Sequence, residues 1–140
     1  MIRVNGTFYL IGEDKTGGSA FQNVNCYAST DLVQWKYVGA LLSRTSSGDL
    51  GPNRIVERPK VLFNDKTGKY VLWFHADSSN YGDAKVGVAT GDSVCGKYSK
   101  RDPFLEALLR DATKRGVHHS VPAEFQTVGL PKSRYGPLQR

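Results

Sequence analysis

Two cysteines in 140 residues cannot build a disulfide framework. Cys26 and Cys95 show no CxxC spacing and no zinc pattern with the three histidines, so two buried thiols are expected. No apolar run reaches the roughly 18 residues of a membrane-spanning helix. Met1-Ile2-Arg3-Val4 leads straight into strand-like sequence without the apolar region of a secretory leader. The expectations are no membrane contact and no export signal within this chain. Aromatic residues are scarce after Tyr98, where only Phe104, Phe125 and Tyr135 occur. This bears on the net charge of +6: up to Tyr98 there are 11 Lys/Arg against 9 Asp/Glu, and from Ser99 onward 8 against 4. The basic excess therefore sits mostly where no aromatics interleave with it. A solvated tail is expected there, and no nucleic-acid partner.

What the chain does have is 15 glycines and 15 aromatics, a balance that favours strands joined by tight turns. Slid along itself, the sequence repeats. Asn5-Gly6-Thr7-Phe8-Tyr9-Leu10 recurs as Thr67-Gly68-Lys69-Tyr70-Val71-Leu72 at a shift of 62, with Gly6 on Gly68, Phe8 on Tyr70 and Leu10 on Leu72. At a shift of 61, Asp31 falls on Asp92, Lys36 on Lys97 and Tyr37 on Tyr98. A unit of this length with three or four strands fits a four-stranded propeller blade with extended loops. Two blades do not close a ring, so the fold class is all-β, an incomplete propeller of about two blades over residues 1–98. A two-sheet sandwich is the alternative.

Strands are expected at about 2–5, 7–12, 24–29 and 35–41 in the first unit, and at 56–63, 69–76, 85–90 and 96–99 in the second. Asn64-Asp65-Lys66-Thr67-Gly68 makes a Gly-closed hairpin. The pattern stops after Tyr98. Asp102 caps and Pro103 opens a helix over about 103–115, with Phe104, Leu105, Leu108, Leu109 and Ala112 as its apolar stripe. The rest of a non-propeller tail, 99–140, is irregular.

Three features with chemical potential lead nowhere. Lys85-Val86-Gly87-Val88-Ala89-Thr90-Gly91 lacks the Lys-Ser/Thr of a phosphate loop, and no cofactor is expected. His118-His119 has no carboxylate or thiol companions, so no metal is expected. Asn5-Gly6-Thr7 is a glycosylation sequon, meaningful only for a secreted protein. Glu57 differs: it lies in Val56-Glu57-Arg58-Pro59-Lys60, a stretch dense in charge for a core strand. Buried charge is costly unless paired or functional. Either Glu57 pairs with Arg58 or Lys60, or it is a carboxylate facing a ligand.

Several motifs stand in order along residues 3–98: Gly12-Glu13-Asp14-Lys15, Phe21-Gln22-Asn23-Val24-Asn25-Cys26-Tyr27, Ser29-Thr30-Asp31-Leu32-Val33-Gln34-Trp35, Val56-Glu57-Arg58-Pro59-Lys60-Val61 and Asp77-Ser78-Ser79-Asn80-Tyr81-Gly82. Together they resemble glycoside hydrolase family 43, and within it the exo-acting galactan 1,3-β-galactosidases. The resemblance implies a five-bladed propeller that removes terminal galactose from β-1,3-galactan with inversion, in carbohydrate metabolism, and an extracellular parent. It also implies that Glu57 orients substrate and tunes the catalytic acid, with Arg58 and Lys60 supporting that acid cluster. Glu13 and Tyr81 are implied as sugar contacts, one accepting from hydroxyls and one offering a ring.

Inversion needs a general acid and a base-activated water. The family's acid is a Glu on the third blade, and neither Glu106 nor Glu124 lies in a blade-like strand. The family's basic Asp stands before this chain's first residue. The expectation is an enzyme by descent, inactive as this chain alone. The alternative is a non-catalytic carbohydrate-binding or interaction module. Open blade edges could also pair two copies.

Overall fold

Alternating apolar residues over short stretches, punctuated by turn formers, give strands that bury one face. The computed structural model describes residues 1–99. Seven strands follow in chain order: β1 (Ile2–Val4), β2 (Thr7–Glu13), β3 (Asn23–Ser29), β4 (Lys36–Ser43), β5 (Arg54–Asn64), β6 (Lys69–Ser78) and β7 (Lys85–Gly91). The helix expected over 103–115 and the irregular tail lie outside the described residues.

The strands form two antiparallel sheets, ordered β1-β2-β3-β4 and β5-β6-β7. In each, neighbours in sequence are neighbours in space, and no strand crosses from one sheet to the other. The strand expected at 96–99 shrinks to a single bridge between Thr90 and Ser99. Gly96 is held instead in a turn closed by its amide on the Ser93 carbonyl, 3.3 Å.

The repeated turns have the local chemistry the sequence demands. Between β1 and β2, Asn5 (φ 49°) and Gly6 (φ 82°) both lie in the left-handed region, as a two-residue primed hairpin turn requires. Between β5 and β6, the Asn64 side chain accepts from the Lys66 and Thr67 amides at 3.0 and 3.2 Å, and Gly68 (φ 65°) closes the turn. Asp31 does the same work before β4, accepting from the Val33 and Gln34 amides at 2.9 and 2.8 Å.

One hydrophobic cluster joins the two sheets. Ile11, Val24, Cys26 and Leu41 come from the first, and Val56, Leu72, Phe74 and Ala89 from the second. Burying each of the larger of these, the Val, Leu, Ile and Phe side chains, contributes about 1.5–3 kcal/mol. Gly87 is dictated by this packing, because a Cβ there would lie 2.0 Å from the Phe74 ring.

The cysteines correct the expectation of two free thiols. Cys26 on β3 and Cys95, in the turn after β7, form a disulfide across a sequence separation of 69. Packing the second sheet on the first brings their Cα atoms to 5.6 Å, a spacing that suits the bond. Beside it the Tyr98 amide donates to the Leu41 carbonyl at 2.8 Å, a second tie between the units.

Candidate functional site

The site begins with an irregularity in β5. Glu57 pairs with His75 of β6 and Lys60 with Trp73, so Arg58 and Pro59 form a bulge between them. Proline offers no amide to a ladder, and Arg58 is turned into the left-handed region (φ 54°). Its freed amide leaves the sheet and donates to Glu13 Oε1 at the end of β2, 2.7 Å away. The bulge thus links the two sheets beside Glu57.

Lys15 completes the link. Its ammonium lies 3.0 Å from Glu13 Oε2 and 3.4 Å from Glu57 Oε1. Burial pulls the Lys15 ammonium down, but the Glu13 hydrogen bond and the two carboxylate charges outweigh it and leave it above its ordinary value. The segment carrying Lys15 is held by Asp14, which accepts from the Thr16 hydroxyl (2.6 Å), the Thr16 amide (3.0 Å) and the Asn23 amide group (3.0 Å). Those bonds, led by the Thr16 hydroxyl, hold the Asp14 carboxyl down to about 2.

From the other side the Tyr81 phenol donates to Glu57 Oε1 at 3.0 Å, and this bond raises the phenol above its usual range. Tyr81 is exposed and sits in the left-handed region (φ 58°), an uncommon place for a bulky residue. Its ring meets the His75 ring edge-on, with centroids 6.4 Å apart. His75 in turn lies 2.7 Å from the buried Asp77 carboxylate. Arg58, Lys60, Trp73, His75, Ala84 and Val86 are among the residues lining an adjoining open groove of about 340 Å³.

Glu13, Glu57 and Tyr81, separated by 44 and 24 positions in the sequence, therefore meet at one place. Two details differ from expectation. Glu57 pairs with neither Arg58 nor Lys60 among the described residues: its cation is Lys15, because the bulge makes the Arg58 backbone the contact and leaves both side chains exposed. Lys15, His75 and Asp77 were missed as site residues. Lys15 and Asp77 stand inside the motifs Gly12-Glu13-Asp14-Lys15 and Asp77-Ser78-Ser79-Asn80-Tyr81-Gly82, which gave neither of them a role, and His75 stands in no motif. The arrangement offers acceptors for hydroxyl donors beside an aromatic ring, which is chemistry suited to a neutral sugar.

No protein-family model matches the chain. Its strands superpose on an exo-β-1,3-galactanase from Phanerochaete chrysosporium, solved with β-1,3-galactotriose, at 48% identity and a TM-score of 0.68. That match covers 70% of this chain and 23% of the galactanase. An exo-β-1,3-galactanase from Clostridium thermocellum matches at 38% identity with a TM-score of 0.67, over 73% of this chain and 22% of that one. The extracellular endo-α-(1→5)-L-arabinanase 2 of Bacillus subtilis (strain 168) is 25% identical over 135 residues, which are 86% of this chain and 26% of the arabinanase. The chain spans about a quarter of the length of these relatives. The class that the chain resembles is that of the glycoside hydrolases. The family it resembles is glycoside hydrolase family 43, in its galactan 1,3-β-galactosidase-like branch, as the sequence motifs implied.

Proposed function

We propose that residues 1–98 are about two blades of a five-bladed propeller and form part of the mouth of an exo-acting, inverting β-1,3-galactanase. The observation that carries this reading is the convergence of Glu13, Glu57 and Tyr81 around Lys15 at the junction of the two sheets. In this reading Glu13 accepts from hydroxyls of the terminal galactose and the Tyr81 ring covers an apolar face of it. Glu57 orients the substrate and sets the field felt by a general acid.

That acid is a third carboxylate. Glu13 and Glu57 meet around one cation, whereas inversion calls for one group at the leaving oxygen and another at a water on the opposite face of the sugar. In this reading the 140-residue chain supplies a sugar-binding part of a hydrolase and is inactive alone. An extracellular site of action fits the Cys26–Cys95 disulfide, since such bonds persist in oxidising compartments.

The test is to titrate the purified 140-residue protein with β-1,3-galactobiose and, separately, to assay it for released galactose. Binding without release is expected. Release would overturn the claim of a missing acid, and absence of binding would overturn the sugar mouth. The ion pairing of both carboxylates with Lys15 also favours a second reading, a non-catalytic carbohydrate-binding module. A longer chain that binds β-1,3-galactan without cleaving it would select that reading. Exposed Leu10, Leu62, Val38 and Val86 leave apolar surface on both sheets, so pairing of two copies is a further partner reading. Size-exclusion chromatography would show the dimer.

A further inference from the structure

Asp77 is 1% exposed, yet it carries a carboxylate at the end of β6. Oδ1 accepts from three backbone amides, those of Ser78 (2.8 Å), Asp83 (2.8 Å) and Ala84 (3.2 Å), which are the two ends of the loop between β6 and β7. Oδ2 is taken by His75 Nε2 at 2.7 Å. An ionised carboxylate only accepts, so Nε2 carries the proton and the tautomer is set. Asp77 hydrogen-bonds none of Glu13, Glu57 or Tyr81.

The loop it gathers holds Tyr81 and Ala84 (φ 46°) in the left-handed region, a backbone state that costs of order 1–3 kcal/mol for each such residue unless its surroundings impose it. Turn closure by itself does not explain a buried charge. Asn64 closes the hairpin between β5 and β6 with a neutral side chain at a less buried position. A carboxylate at position 77 does what the amide at 64 need not do: it draws three amides onto one oxygen while the other holds the ring that stands edge-on to Tyr81.

From this geometry we infer that Asp77, acting with His75, is the positioning residue of the proposed sugar mouth: it sets the loop so that the Tyr81 phenol reaches Glu57. The inference rests on the sugar-binding reading for its consequence, but its structural half is measurable without sugar.

The experiment uses the full 140-residue chain and its Asp77→Asn variant, both with the disulfide intact. In the free protein, hydrogen exchange at the Asp83 and Ala84 amides and NMR titration of the Tyr81 phenol report the loop. The variant is expected to lose protection at both amides, and its Tyr81 phenol is expected to titrate nearer the ordinary tyrosine value. Affinity for β-1,3-galactobiose is expected to fall roughly tenfold or more, the scale of losing a hydrogen bond to a charged group. A folded variant with unchanged Tyr81 titration and unchanged affinity overturns the inference. Should Asp77→Asn fail to fold, His75→Phe and His75→Gln decide, because the His75 side chain is 30% exposed and tolerates exchange. Phe is expected to loosen Tyr81 and weaken binding, whereas Gln, which still donates to Asp77, is expected to restore both; equal behaviour of the two refutes the role. If the unmodified chain binds no galactobiose, the sugar reading fails by itself, and the Tyr81 titration still decides whether Asp77 positions the loop.

Discussion

Reducing the Cys26–Cys95 bond should strongly destabilise the two-sheet unit. The crosslink closes a separation of 69 residues, and loop-closure entropy for a ring of that size amounts to about 4 kcal/mol at 25 °C. A domain of this length has a total stability of about 5–15 kcal/mol, so the loss is a large share of it. The bond also joins β3 of one sheet to the turn after the last strand of the other. The assay is urea unfolding followed by tryptophan fluorescence, with and without reductant, and with Cys95→Ser as the covalent control. With a slope of about 1–3 kcal/mol per molar urea, the midpoint should fall by about 1.3–4 M. Cys26→Ser should cost more than Cys95→Ser, because it also places a hydroxyl at a fully buried position. A midpoint shift below about 0.5 M, with both thiols shown by labelling to be free, would refute the reasoning.

Gly87→Ala should destabilise by about 1–3 kcal/mol or more, since its methyl meets the buried Phe74 ring and the sheet must shift; thermal unfolding measures it. Leu72→Ala, at a wholly buried position, should cost about 2–5 kcal/mol in the same assay. Tyr81→Phe keeps the ring and removes the phenol bond to Glu57; fold stability should change by less than about 1 kcal/mol, while titration with galactobiose should show weaker binding. Asp14 is held down to about 2 in the folded state, below its ordinary value of 3.8. Its stabilisation is therefore present above about pH 4 and lost as pH falls toward 2. Acid unfolding of Asp14→Asn should lack that part of the slope, and an identical pH profile would refute it.

Strand positions were legible because each strand is bounded by turn chemistry that acts within a few residues. Asn64 with Gly68, Asn5 with Gly6 and Asp31 each do their work through contacts two to four positions away, or through their own φ. The site was legible in part. Glu13, Glu57 and Tyr81 drew roles from their motifs, whereas Lys15, in the same motif as Glu13, drew none, because its two carboxylates lie 2 and 42 positions away and only one of these is visible in the local pattern. The bulge at Arg58-Pro59 was hidden for a different reason. A proline in a strand announces a broken ladder but not which neighbour will take the freed amide.

By itself the sequence determined the all-β class, the repeat and the turns, all of which rest on local periodicity and backbone preference. The repeat partners show where that reach ends. Leu10 and Leu72 occupy equivalent positions, yet Leu72 is fully buried and Leu10 is 42% exposed; Tyr98 is buried and its counterpart Tyr37 is 54% exposed. Equivalent residues in successive sheets have different neighbours, because Leu72 and Tyr98 lie in the core the two sheets share whereas Leu10 and Tyr37 do not. Only the packing of one sheet on the other decided those fates, the Cys26–Cys95 bond and the meeting of Glu13 with Glu57 at Lys15, since each joins groups that no local pattern brings together.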